Sequence, residues 1–207
     1  MNRENVAEEV FQAVVEAVPH ISSGMLHRRE HVGEENPSDE RQLEADVWAN
    51  ELLKEKITSI DGVGMYASEE EEAVTLCGDG LSVSVDPLDG SSNIPTNNLV
   101  GTIVGIYDEE LPCSGEKMLE AFYVVYGPVS SVVRSDGETV EEYVIESNQD
   151  EAEAIRAGSD LELPDPTVYG FGGNKGWFKE FRKFEATLSR DLKLRYGGAL
   201  VGDVNQV

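Results

Sequence analysis

The sequence predicts an α+β fold: helices first, then an antiparallel sheet, then a second α/β unit. Three observations predict it. Apolar residues recur at helical spacing up to Ile57. From Leu81 to Ile145, short alternating runs are separated by turn signals. After Val168, a short apolar run, a Gly-rich loop and a helical aromatic stripe follow one another. This reading places a first domain at residues 1–166 and a second at 167–207.

Val6, Val10, Phe11, Val14, Val15 and Val18 share one helical face, so a first helix runs to about Pro19, which ends or kinks it. Ile21, Met25 and Leu26 can continue the same face. His20, His27 and His31 fit no metal-ligand spacing and read as surface residues. Residues 30–39 are polar, contain Gly33, Pro37 and Ser38, and read as a loop ending in an N-cap. A second helix follows, with Leu43, Val47, Leu52, Leu53 and Ile57 on its apolar side. Glu40, Glu44 and Asp46 lie on its first turns, where the helix dipole alone accounts for acids.

Leu81, Val83 and Val85 alternate with Ser82 and Ser84 as a half-buried strand. Residues 101–107, 121–126, 130–134 and 143–145 continue an antiparallel meander, with turns at Gly127-Pro128 and Ser135-Asp136-Gly137. Residues 146–166 are acidic and read as a surface segment between domains. Beyond them, residues 168–171 form a strand and Gly172-Gly173-Asn174-Lys175-Gly176 a loop. Trp177, Phe178, Phe181, Phe184 and Leu188 mark a helix, residues 192–196 a strand, and Gly197-Gly198 opens a further helix. A lone Gly-rich loop is as readily a turn as a ligand site.

At 40% hydrophobic residues the chain can bury a real core. Its formal net charge is −25, from 41 acidic and 16 basic residues, spread along the chain. That pattern suits a solvated surface in high salt, where self-repulsion is screened; an ordinary acidic enzyme is the alternative. So negative a surface makes nucleic acids and anionic membranes poor partners. Cys77 and Cys113 show no pairing pattern, and no run of 18 apolar residues occurs, so a cytoplasmic setting is expected.

The stretch that organises the chain is Val85-Asp86-Pro87-Leu88-Asp89-Gly90-Ser91-Ser92-Asn93-Ile94. Pro87 reads as a rigid turn that aims Asp86 and Asp89 into one space. Gly90, Ser91 and Ser92 read as a backbone cradle at a helix start, suited to a phosphate. Glu69, Glu70, Glu71 and Glu72 stand just upstream. If they abut the turn, like charges resist joint ionisation unless hard divalent cations neutralise them. Acids that merely face solvent are the structural alternative.

Ser68-Glu69-Glu70, then Asp86 through Ile94, then Gly101-Thr102-Ile103-Val104-Gly105-Ile106-Tyr107, resembles class I fructose-1,6-bisphosphatases in order and spacing. These belong to the wider superfamily that includes inositol monophosphatases, and Ser-Ser-Asn-Ile favours the sugar-bisphosphatase branch. The resemblance implies a layered αβαβα sugar-phosphatase fold. It also implies hydrolysis of the 1-phosphate of fructose 1,6-bisphosphate, in gluconeogenesis. The cofactor would be Mg²⁺, with Mn²⁺ or Zn²⁺ as alternatives, at two or more ions per subunit. A sugar bisphosphate would be the substrate, and a homo-oligomer, a homotetramer in the family, the assembly.

By the same resemblance, Glu69, Asp86, Asp89 and the Leu88 carbonyl are metal ligands, with Glu40 joining from a loop; Asp39 is the alternative to Glu40. Asp46 and Glu70 would orient and deprotonate water. Gly90, Ser91 and Ser92 would hold the reacting phosphate, and Asn174, Arg195 and Tyr196 the distal one. Arg195 could otherwise be a surface strand cation. Glu71 and Glu72 read as solvated surface. The family's second domain continues past a segment like Gly202-Asp203-Val204, so part of that domain is expected to lie beyond this sequence. An inositol-phosphate or sedoheptulose-bisphosphate phosphatase and a non-catalytic acidic fragment remain the competing readings.

Overall fold

In this computed structural model the described residues are 2–35, 37, 41–148, 151–172 and 176–206. Two helices, α1 (Arg3–Met25) and α2 (Glu44–Thr58), lie on one face of an eight-stranded sheet. The strands are β3 (Val63–Ser68), β4 (Thr75–Leu76), β5 (Leu81–Asp89), β6 (Val100–Tyr107), β7 (Met118–Tyr126), β8 (Ser131–Ser135), β9 (Val140–Ser147) and β10 (Ala152–Gly158). Their spatial order is β10-β9-β8-β7-β6-β5-β3-β4. From β5 to β10 the sheet is the expected antiparallel meander. It is mixed rather than wholly antiparallel, because β3 joins parallel to β5.

Val10, Phe11, Val14 and Val18 of α1 and Leu53 and Ile57 of α2 are buried against Val83, Val104, Phe122 and Val132 of the sheet. Complete burial of one such side chain is worth roughly 1.5–3 kcal/mol. This explains why α1 does not end at Pro19. Ala17, Val18 and Ile21, flanking the proline, are each at most 2% exposed. Their burial offsets the roughly 3 kcal/mol that an interior proline costs.

Three further expectations are corrected. Residues 31–35 and 41–43 form a short antiparallel pair, β1 (His31–Glu35) and β2 (Arg41–Leu43), and α2 begins only at Glu44. Buried Leu43 and the Glu44 N–H, which donates to the Glu30 carbonyl at 2.9 Å, anchor that pair. Residues 152–158 belong to the sheet as β10 rather than to a surface segment. Its inward positions, Ala152 and Ala154, pack on the core, and alanine gives little strand signal. The Asp-Pro-Leu-Asp stretch is not a turn outside the sheet; it lies within β5.

The C-terminal part is smaller. β11 (Val168–Tyr169) and β12 (Lys193–Leu194) pair in parallel, α3 (Lys179–Leu188) connects them, and α4 (Leu200–Val204) follows. Val201 and Ala199 pack with Val125, Ile103 and Tyr123 on the sheet face opposite α1 and α2. No helix is long and apolar enough to cross a membrane among the described residues.

Candidate active site

The acidic stretch is shaped by a bulge. Asp86 pairs with Ile103 and Asp89 with Gly101, so β5 carries one residue more than β6 between these points. A bulge is where a strand tolerates proline, which has no N–H to offer the ladder. The Asp86 Oδ1 accepts from the Leu88 N–H at 3.1 Å. The Pro87 carbonyl accepts from the buried Thr102 hydroxyl at 2.8 Å.

Parallel pairing of β3 with β5 delivers the second acidic segment. Ser68 stands opposite Val85, and the Glu69 N–H donates to the Val85 carbonyl at 3.1 Å. The carboxyls of Glu69 and Asp86 thereby come within hydrogen-bonding reach of each other. Burial first, then the charges of Glu69 and Asp89, push the Asp86 pKa up to about 8; only the Leu88 N–H opposes them.

Asp89 faces a different set of partners. Its Oδ2 accepts from the Val201 N–H at 2.7 Å, so it caps the first turn of α4. Burial raises its pKa, the amides of Val201 and Leu200 pull it down, and Glu69 and Asp203 add to the rise. Among the described residues, no three His, Cys, Asp or Glu side chains form a ready-made metal cage. Glu69 and Asp86 form a close pair, while Asp89 is turned toward α4. A part-buried carboxylate pair with oxygen donors only still matches the chemistry of a hard divalent cation, which would relieve its repulsion.

Gly90 has a left-handed φ of 75°, and a Cβ there would stand 2.4 Å from that of Ala199. Ser91 and Ser92 follow at the opening of a six-residue 3-10 helix, Ser91–Thr96, rather than an α-helix. The Asn93 amide donates to the carbonyls of Leu99, at 2.9 Å, and Gly197, at 2.7 Å, tying this turn to the C-terminal segment.

Asp46 is 2% exposed, and its Oδ2 accepts from the Leu43 N–H at 2.7 Å at the start of α2. Next to Leu43, the Gln42 amide donates to Glu70 at 2.5 Å. Asp46 and Glu70 therefore flank one strand end. Leu88 is buried. Arg195 and Tyr196 are exposed, just ahead of the contacts that Gly197 and Ala199 make with Asn93 and Gly90. The Arg195 N–H donates to the Tyr169 carbonyl at 2.9 Å. Glu40, its alternative Asp39, and Asn174 lie outside the described residues.

Glu71 is not solvated surface. It accepts from Lys54 at 2.7 Å and Asn50 at 2.9 Å, and Tyr66 donates to Asn50 at 3.0 Å. Burial raises its pKa, but the bonds from Lys54 and Asn50 outweigh burial and the net shift is downward. Sequence reasoning gave no role to Thr102, Tyr126 or Gln42, and it did not foresee the bond from Asn93 to Gly197. Thr102 had a signal, as a hydroxyl within the apolar run Val100–Tyr107.

Comparison with known proteins finds one family. A family profile described as "Fructose-1-6-bisphosphatase, N-terminal domain" matches residues 7–154. A protein of Natronomonas pharaonis named "Fructose-1,6-bisphosphatase class 1" is 45% identical over 204 residues, covering 97% of this chain and 71% of that relative. One of the same name from Halobacterium salinarum is 46% identical over 208 residues, covering 98% and 71%. A crystal structure of Leishmania major fructose-1,6-bisphosphatase in holo form superposes with a TM-score of 0.86 at 25% identity. It covers 99% of this chain and 72% of that one.

Proposed function

The chain belongs to the class 1 fructose-1,6-bisphosphatase family, and on that premise we propose that it hydrolyses the 1-phosphate of fructose 1,6-bisphosphate, giving fructose 6-phosphate and phosphate. One observation carries the reading: Glu69 and Asp86, from separate segments, meet as a part-buried carboxylate pair just ahead of Gly90, Ser91 and Ser92. Glu69 and Asp86 would hold Mg²⁺, two or more ions per subunit, with Asp89, the Leu88 carbonyl and Glu40 as further ligands. Bound there, the ions supply charge neutralisation for the phosphoryl oxygens.

The rest falls to the chain's own groups. Asp46 and Glu70, held at the Gln42–Leu43 strand end, orient the attacking water and accept its proton. The backbone N–H groups of Gly90, Ser91 and Ser92 meet charge as it develops on the phosphate. Arg195, Tyr196 and Asn174 take the distal phosphate, for which a guanidinium is well suited. A gluconeogenic role in the cytoplasm, a homo-oligomeric assembly, a second domain starting at residue 167, and adaptation to high salt belong to the same proposal. The net charge of −25 supports the last.

The test is phosphate release from fructose 1,6-bisphosphate with Mg²⁺ at several salt concentrations, beside inositol monophosphate and sedoheptulose 1,7-bisphosphate. Preferred release from the fructose ester, abolished by a chelator, supports the proposal. No release from it at any salt, or preference for another ester, sinks it.

A further inference from the structure

Thr102 is a hydroxyl in an aliphatic stripe. Val100, Val104 and Ile106 flank it at strand period and join the main core, while Thr102 itself is 0% exposed. Valine would fill the same shape without a polar atom to satisfy. The hydroxyl stands opposite the β5 bulge, between the pairs Asp86–Ile103 and Asp89–Gly101, and bonds the Pro87 carbonyl at 2.8 Å. On its other side lies the Tyr126 hydroxyl at 2.9 Å, also buried.

The direction of this chain of bonds is fixed by chemistry. A carbonyl only accepts, so the single Thr102 proton goes to Pro87, and Tyr126 must donate to Thr102. Burial raises the Tyr126 pKa, which keeps that proton in place.

The Pro87 carbonyl belongs to the Pro87–Leu88 peptide, whose N–H holds the Asp86 carboxylate at 3.1 Å, so what fixes that carbonyl also fixes the donor that orients Asp86. We propose that Thr102 and Tyr126 are positioning residues, a buried hydroxyl relay that holds the β5 bulge so that Asp86 keeps its place beside Glu69 for cation binding. The inference rests on the phosphatase reading, because it assigns the relay to the metal pair of that site. Outer partners that orient metal ligands typically carry about 10- to 100-fold in metal affinity or activity.

The test measures Mn²⁺ binding by calorimetry on the 207-residue chain, alongside thermal unfolding. Thr102→Val keeps the shape and loses the hydroxyl; Thr102→Ser keeps the hydroxyl and loses the methyl. The expected result is an affinity about tenfold weaker in Thr102→Val, with wild-type affinity and a lower melting temperature in Thr102→Ser. Tyr126→Phe weakens binding in the same direction and decides the matter if Thr102→Val does not fold. Wild-type affinity in Thr102→Val, or in Tyr126→Phe when it must decide, overturns the relay while leaving the phosphatase reading intact. So does equal weakening in Thr102→Ser and Thr102→Val, which would mean packing rather than the hydroxyl matters. No Mn²⁺ binding by the wild-type chain overturns the metal reading and the relay together.

Discussion

Glu71 and Asp86 are part-buried carboxylates near the ends of two neighbouring parallel strands, yet their surroundings push them in opposite directions. Glu71 is met by the Lys54 ammonium, the Asn50 amide and Thr75, and its pKa falls. Asp86 is met by burial and two further acids, and its pKa rises. The first arrangement is complete without any ligand and pins the acidic segment to α2. The second is electrostatically costly, a cost that a bound cation would relieve. Burial alone therefore does not mark a functional acid; the decisive feature is the sign of what surrounds it.

Substitutions along this contrast grade from large to negligible. If Asp86 holds the cation as proposed, Asp86→Asn is expected to lower phosphate release by on the order of 10²- to 10³-fold in a steady-state assay. Retention of full activity would break the contrast at once. Gly90→Ala pushes a Cβ against Ala199 at a left-handed φ. It should cost about 2 kcal/mol of stability in denaturant unfolding, since strained backbone costs on the order of 1–3 kcal/mol.

Glu71→Gln should cost about 1 kcal/mol of stability with kcat preserved, because the ion pair it weakens is structural. The lowered folded pKa of Glu71 sets the sign of its pH dependence. Its contribution is present above the unfolded value of 4.5 and is lost as pH falls through the folded value, so the variant and wild type should converge in acid. Glu72, the next residue, is exposed. Glu72→Gln should stay within about 0.5 kcal/mol of wild type and leave kcat unchanged.

How much was legible in the sequence follows from the same physics. Helices α1 and α2 and strands β5 to β9 were readable because their apolar residues repeat at one period over one buried face. The convergence of Glu69 with Asp86 was legible only as a condition, since it depends on parallel pairing between non-consecutive strands. The passage of α1 through Pro19 was legible only as one of two outcomes, because the packing of Val18 and Ile21 that overrides a local breaker is not visible in the sequence. The β5 bulge was hidden because Pro87 reads as a turn when the bond from Thr102, on the next strand, is unknown. Asp89 capping α4 joins residues 112 apart in the chain, and nothing local to either announces it.

The central claim is that Asp86 is held at a cost that a divalent cation relieves, and comparing the melting temperatures of wild type and Asp86→Asn with and without Mg²⁺ at pH 8 tests it most directly. The folded pKa of Asp86 is raised above its ordinary 3.8. Its contribution to stability is therefore fully present below that unfolded value and is lost as pH rises toward about 8. Without cation, Asp86→Asn should melt above wild type; with Mg²⁺ the order should reverse, as binding stabilises only the wild-type site. A variant that melts below wild type in the absence of cation, with no response of wild type to Mg²⁺, would contradict the claim.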